Sequence, residues 1–94
     1  MDDLLIDFKN RVRIQHSTED PSLTKMLQTS EKAVAGMVGF DDLNDLEFRE
    51  LVIERTRFIY YDEGEYFEDN FHSELVRLGL RGAVSEKTIP ETES

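Results

Sequence analysis

The chain has 94 residues, no cysteine, and 21 acidic against 11 basic residues, which gives a formal charge of −10 at neutral pH. A chain of this length forms one small domain, and because it lacks cysteine and long apolar runs we expect no disulfide scaffold, thiolate zinc site, signal peptide or membrane span. The negative charge also disfavours nucleic-acid binding, since affinity for phosphates comes largely from basic groups that displace counterions.

Two helices are predicted in the first part of the chain. Residues 2–14 place apolar side chains at helical spacing, with acids at the start and bases toward the end, as the helix dipole favours. A second helix is predicted to begin after an N-cap at Asp20 or Thr18 and to extend to about Val38, because Pro21 suits a first helical turn and Gly39 suits a left-handed cap. Its apolar residues lie on one face, which is typical of a helix packed on one side.

The third predicted helix begins near Asn44 or Asp45 and extends to about Glu63, and it differs from the second in having two apolar seams about 140° apart. One seam suffices to pack against the first two helices, so we predict that the other contacts a neighbouring subunit. The alternative is that the C-terminal segment folds back to cover it. The predicted interface residues on this second seam are Leu46, Ile53, Tyr60 and Phe67.

The C-terminal part of the chain is divided by glycines. Gly64 predicts a break or kink, because glycine costs about 1 kcal/mol relative to alanine in a helix interior. A short helix is then predicted from about Glu65 to Leu78, and Gly79 and Gly82 are expected to end regular structure.

The fold class predicted from these elements is all-α, a small bundle of three to four helices with one long central helix. Residues 1–82 form the predicted helical domain. Residues 83–94 form a polar tail that we expect to be disordered in the free protein or ordered by docking on a neighbour.

The sequence contains little that predicts catalysis or metal binding. Glu68 and His72 lie one helical turn apart, but two ligands without a third are weak evidence for a metal site. The segment DDLNDLEFREL lacks the glycine and the final glutamate of a calcium loop, and no phosphate-binding loop or activated nucleophile is present. We therefore predict no catalytic residue, no metal and no cofactor.

Arg55 lies within the apolar stripe of the third helix, with Asp62 two turns farther along the same face. One interpretation is that Arg55 extends its charged end to solvent or pairs with an acid of the first helix. The other is a buried or interchain ion pair of Arg55 with Asp62 that fixes the register between subunits.

The stretch FIYYDEGEYFEDNF, residues 58–71, holds six of the nine aromatic residues and five carboxylates, and no base occurs between Arg57 and Arg77. Such a run of acids is ordinarily a solvated face. Aromatic rings supply a large apolar area at low side-chain entropy cost, so they also suit subunit contacts.

The order of the predicted elements and their residues resemble one known family, the small head-tail connector (adaptor) proteins of tailed bacteriophages. The resemblance covers about residues 3–80 and is strongest from Glu50 to Leu80. It is carried by the stretches LLIDFKNRVRI, HSTED, LTKMLQTSEKAVAGMVG and ELVIERTRFIYYDEGEYFEDNFHSELVRLGL.

This resemblance implies a mostly α-helical virion protein, present in the host cytoplasm during assembly, that forms a ring beneath the portal and extends the DNA channel toward the tail. The implied partners are other copies of the chain, commonly in a dodecamer, the portal protein, and a tail-side stopper or completion protein. In such a ring Glu65, Glu68 and Asp69 would line the lumen or rim, where negative charge lets DNA pass without binding. The resemblance implies no catalytic residues and no cofactor.

A function of another class also fits the composition. A small acidic protein can act as a regulator or DNA mimic that presents phosphate-like carboxylates to a host nucleic-acid-binding protein. A DNA mimic is expected to act as a monomer or dimer, whereas a connector is expected to form large rings.

Overall fold

The computed structural model describes the backbone of residues 2–93 and the side chains of residues 3–84. This part of the chain contains helices and turns and no strand, which confirms the all-α fold class. The helices are α1 (Asp2–Val12), α2 (Asp20–Val38), α3 (Leu46–Tyr60), α4 (Phe67–Asn70) and α5 (His72–Glu93), with a 3₁₀ turn at Gly64–Tyr66.

Helix α3 is central, because it contacts each of the other helices and the 3₁₀ turn. It is not the longest helix, since its 15 residues compare with 19 in α2 and 22 in α5. The sequence therefore predicted the position of α3 correctly and overestimated its length. The core around α3 consists of Leu4, Phe8, Leu23, Leu27, Val34, Val38, Phe48, Leu51, Val52, Ile53, Phe67, Leu75 and Leu78.

The second apolar seam of α3 is mostly covered by the chain itself. Ile53 is only 3% exposed and Phe67 only 1%, so both are core residues and neither is available to a neighbouring subunit in this fold. Part of the cover comes from α1, which packs against α3 and places the Phe8 ring edge-on to the Tyr60 ring with centroids 6.0 Å apart. Phe67 is instead covered by Phe58 and by Phe71 of the C-terminal segment, so both α1 and that segment fill space that the sequence pattern assigned to a neighbour.

Helix α3 ends at Tyr60, before the predicted end at Glu63. Asp62 adopts a left-handed conformation with φ of 61°, and the Glu63 backbone N–H donates to the Phe58 carbonyl at 2.7 Å. This is the hydrogen bond of a Schellman motif, which satisfies carbonyls at a helix end. Helix α3 thus ends at Tyr60 and the chain changes direction at Asp62, two residues before Gly64, the residue from which the break was predicted.

Helix α5 passes through both glycines that were expected to end it. A Cβ at Gly79 would lie 3.5 Å from the Val38 carbonyl oxygen, and one at Gly82 would lie 2.7 Å from the Phe40 ring. The absence of a side chain at Gly82 therefore lets α5 approach Phe40 closely, whereas a Cβ at Gly79 would make only an ordinary contact. Because α5 continues to Glu93, the predicted boundary between a domain of residues 1–82 and a tail of residues 83–94 falls inside a helix. The side chains of residues 85–94 lie outside the described residues, and disorder of this tail in the free protein stays a prediction.

Candidate interaction surfaces

The segment that follows α3 carries a group of exposed carboxylates, which we call the acidic turn. Its members are Asp62, Glu63, Glu65, Glu68 and Asp69. Within the described residues none of them forms an ion pair with a basic side chain. Glu65, Glu68 and Asp69, the acids predicted for a lumen or rim, therefore lie on the same exposed segment, where their charge is not neutralised by a direct partner.

The aromatic residues of this region are divided between the interior and the surface. Phe58, Phe67 and Phe71 form a cluster beneath the acidic turn, with ring centroids between 5.0 and 6.0 Å apart. Tyr61 and Tyr66 are each 53% exposed. The phenylalanines thus contribute to the core, and the tyrosines leave apolar ring surface beside the carboxylates.

Arg55 is half-buried and its Nη1 donates a hydrogen bond to the hydroxyl of buried Ser30 at 3.2 Å. Burial lowers the pKa of Arg55, and the nearby charge of Glu68 acts in the opposite direction. Asp62 is instead exposed at the end of α3, and the structure does not pair it with Arg55 within the described chain. An interchain pair of Arg55 with Asp62 stays a prediction.

A group of ion pairs joins α1 to α3, and it was not predicted from the sequence. Glu54 is buried on α3 and accepts hydrogen bonds from Arg11 of α1 and from Arg57, the latter at 2.8 Å. Arg11 also donates to both carboxylate oxygens of Glu50, at 2.8 and 3.0 Å. The hydrogen bond that Arg11 donates to Glu50 is the largest effect that raises the pKa of Arg11. The spacing of Glu50, Glu54 and Arg57 on one helical face was the available sequence signal.

Other ion pairs hold α1 and α5 against the first turns of α3. Arg49 pairs with Asp7 of α1 at 2.6 Å, so an arginine of α3 does pair with an acid of α1, although it is not Arg55. Arg81 of α5 contacts Asp45 at 2.6 Å and Glu47 at 3.2 Å. Asp45 also caps α3 by accepting a hydrogen bond from the Phe48 N–H at 3.0 Å. Arg81 and then this cap lower the pKa of Asp45.

Helix α5 has apolar residues on two opposite faces. Leu75 and Leu78 are buried against the body, whereas Val76 and Leu80 are 46% and 62% exposed. At 100° per residue, Val76 and Leu80 point away from the buried face of α5. We call Val76 and Leu80 the outer row; Val84, one turn farther on, is also exposed. The outer row was not predicted from the sequence, because α5 was expected to end at Gly79.

Of the four residues predicted for a subunit interface, two reach the surface. Leu46, the first residue of α3, is 79% exposed. Tyr60 is half-buried between the rings of Phe8 and Tyr61, at centroid distances of 6.0 and 5.3 Å. Leu46 and Tyr60 therefore remain candidates for a contact with another chain.

A cleft of about 610 Å³ lies between α1 and α3. Its guanidinium groups, those of Arg11 and Arg49, are already paired with carboxylates. The described residues contain no group of three or more His, Cys, Asp or Glu placed to hold a metal ion, and Glu68 and His72 are both exposed.

In the part of the chain that the structure describes, no helix has both the length and the apolar character that a membrane span requires. No family model, no curated protein and no solved structure matches the chain. The resemblance to head-tail connector proteins therefore stays a prediction from the residues that carry it.

Proposed function

We propose that this protein is a structural component of a bacteriophage head-tail connector, which assembles as a ring below the portal and extends the DNA channel toward the tail. The observation that carries the proposal is the outer row of α5, an apolar surface on a helix whose opposite face is already packed. The resemblance over about residues 3–80 supports the same interpretation and adds the portal protein and a tail-side stopper or completion protein as partners. The proposed location is the virion, and the host cytoplasm during assembly.

The outer row supports self-assembly through its apolar area. Fully burying a large apolar side chain contributes about 1.5–3 kcal/mol, and since about half of Val76 and of Leu80 is still exposed, the two together contribute on the order of 1.5–3 kcal/mol to a subunit contact. A contact between unlike surfaces of successive copies produces a closed ring when the rotation closes. Tyr60 is a candidate for the opposite side of this contact, and the number of subunits, a dodecamer, is the expectation that the resemblance brings.

The acidic turn supports the proposed role as a channel. Glu65, Glu68 and Asp69 are exposed and carry no direct counter-charge within the described residues. Carboxylates that face DNA repel its phosphates, so a channel lined by them lets DNA move without sticking. The proposed function requires neither a cofactor nor a catalytic residue.

The proposal is tested by measuring assembly. Light scattering and negative-stain images of the purified protein, over a range of concentrations and with and without a portal ring, are expected to show rings or portal-bound rings. The double variant Val76→Ser, Leu80→Ser is expected to lose these assemblies and keep the helicity of the monomer. Ile6→Ser is the matched control, because Ile6 is 55% exposed on α1, away from α5. Assembly that survives the double variant, or that is lost equally in the control, would contradict the proposal.

The alternative function, an acidic regulator or DNA mimic that binds a host nucleic-acid-binding protein, is favoured by one observation. Tyr61 and Tyr66 expose ring surface beside the carboxylates of the acidic turn. Such a protein would bind a basic partner as a monomer or dimer, and replacing Glu65, Glu68 and Asp69 by their amides would abolish that binding. Under the connector proposal the same triple variant still forms rings and instead impairs DNA packaging or ejection.

A further inference from the structure

A groove between α3 and α5 is a separate surface from the outer row. It lies on the flank of α5 that faces α3, and its volume is about 330 Å³. The side chains that line it are Leu46, Glu47, Glu50, Leu51, Phe71, Glu74 and Arg77. Most of the exposed surface inside the groove is apolar, and the apolar side chains that line it are Leu46, Leu51 and Phe71. The space is sufficient for one large apolar side chain and part of a neighbouring one.

The charged groups around the groove differ in how they are neutralised. Glu47 contacts Arg77 at 3.5 Å, and Glu50 is held by Arg11. Glu74, half-buried on the first turn of α5, forms no ion pair within the described residues. The groove therefore combines an apolar floor with one carboxylate at its edge that has no cationic partner. This arrangement is complementary to an apolar side chain followed, one turn later, by a lysine or arginine.

A second copy of this chain is a poor source for that cationic residue. Six basic residues already form ion pairs within the fold, and these are Lys9, Arg11, Arg49, Arg57, Arg77 and Arg81. The exposed bases of the described residues that form no ion pair are Arg13, Lys25 and Lys32, and none of them follows a large apolar side chain by one helical turn. Two copies with a charge of −10 each also repel one another, whereas a basic protein is attracted.

We propose that the groove between α3 and α5 binds an amphipathic helical segment of a basic partner protein, with an apolar side chain between Leu46 and Phe71 and a lysine or arginine on Glu74. A helix is the expected form, because the groove lies between two helices and such grooves accept the apolar face of a third. This binding does not depend on ring assembly, because it uses residues other than the outer row.

The test uses a synthetic 14-residue peptide, LKKLLKLLKKLLKL, and a scrambled peptide of the same composition that lacks an apolar helical face. Binding is measured by isothermal titration calorimetry, and the site is mapped by amide chemical shifts. We expect saturable binding of the amphipathic peptide alone, with the largest shifts at Leu46, Leu51, Phe71 and Glu74. Leu46→Ser is expected to weaken binding about tenfold and Glu74→Gln about threefold.

Two variants provide matched controls. Glu65→Gln removes the same charge from the acidic turn, and Ile6→Ser removes an exposed apolar side chain from α1. Both are expected to bind the peptide within about twofold of the unaltered protein. Loss in Glu65→Gln equal to that in Glu74→Gln, equal binding of the scrambled peptide, absence of saturable binding, or shifts confined to other surfaces would each overturn the proposal.

The proposal and the ring assembly can be separated experimentally. The double variant Val76→Ser, Leu80→Ser is expected to bind the peptide normally although it no longer assembles. Peptide binding is also expected to weaken as salt rises from about 50 to about 500 mM, because the ion pair with Glu74 is screened. Failure of peptide binding in a protein that still forms rings would refute the groove proposal alone.

Discussion

Replacing Gly82 by alanine tests whether α5 docks on the end of α2 as the structure shows. A Cβ at Gly82 would lie 2.7 Å from Cδ1 and 2.8 Å from Cε1 of the Phe40 ring, closer than real Cβ contacts. In a helix that did not touch Phe40, alanine would stabilise the protein by about 1 kcal/mol through its helix propensity. Overpacking of this kind costs about 1–3 kcal/mol, so the net effect in the docked helix is a destabilisation of up to about 2 kcal/mol.

Two other glycines provide the controls for this substitution. A Cβ at Gly36, in α2, would have no neighbouring atom within 4 Å, and at Gly79 the nearest atom would be the Val38 carbonyl oxygen at an ordinary 3.5 Å. Gly36→Ala and Gly79→Ala are therefore both expected to stabilise the protein by about 1 kcal/mol. The free energies of unfolding are measured by urea denaturation followed by circular dichroism. A Gly82→Ala variant as stable as Gly36→Ala would show that α5 does not pack on Phe40.

Three further changes have expected outcomes. Asp62→Gly is expected to stabilise the protein by about 0.5–1 kcal/mol in urea denaturation, because Asp62 has a φ of 61° that glycine adopts without strain. The control Glu63→Gly is expected to destabilise the protein, because Glu63 has an ordinary φ of −125°. Asp45→Ala is expected to cost about 1 kcal/mol at neutral pH. Since Arg81 and the Phe48 N–H lower the pKa of Asp45, its stabilisation is present above the ordinary aspartate pKa and is lost as pH falls through the lowered value, so the cost of the variant should disappear in acid. Burial and a hydrogen bond with Asp41 raise the pKa of Glu31, so the folded state binds a proton on Glu31 more tightly than the unfolded state does. The free energy of unfolding therefore falls as pH rises through the raised pKa. The variant Glu31→Gln is expected to remove this decrease in the free energy of unfolding. If the unaltered protein had the same free energy of unfolding at mildly acidic and at neutral pH, the assigned role of Glu31 would be contradicted.

The sequence was sufficient to predict elements whose ends are marked by residues with a single strong preference. Pro21 and Gly39 indicated both ends of α2, and in the structure Gly39 has the left-handed φ of 87° expected of such a cap. Asp45 was correctly identified near the start of α3, where its side chain caps the helix. These signals are local, so they can be read without knowledge of the packing.

The ends that were missed use residues without such a preference. Helices α1 and α3 end at Val12 and Tyr60, and just beyond these ends Arg13 and Asp62 adopt positive φ values of 62° and 61° although neither is glycine. In both cases the backbone hydrogen bonds of the terminating turn, rather than the side chain, define the end: Ile14 N–H to the Lys9 carbonyl, and Glu63 N–H to the Phe58 carbonyl. These positive φ values follow from the path that the chain takes in the folded protein, and the residue types at these positions do not indicate them.

The outer row was missed for a different reason. Glycine can end a helix, and it can also lie inside a helix where another part of the chain packs closely. Gly79 and Gly82 were interpreted as ends of regular structure, whereas in the fold both lie inside α5 and Gly82 permits its close approach to Phe40. That choice shortened α5 and left Leu80 in a loop, so the outer row was not recognised. The helix whose second apolar face stays uncovered by the described chain is therefore α5 and not α3.

The two proposed binding surfaces should respond to salt in opposite ways, because different forces stabilise them. Copies with a charge of −10 repel one another at low ionic strength, so contacts through Val76 and Leu80 should strengthen when salt screens the repulsion. The attraction between Glu74 and a lysine or arginine of the basic partner is instead weakened by the same screening. A ring that is unfavourable among free copies then becomes favourable on a template that brings them together, since proximity reduces the entropy cost of each contact. The charge that limits self-association in solution is therefore compatible with assembly on the portal, and it explains why a monomer at low salt would not contradict the connector proposal.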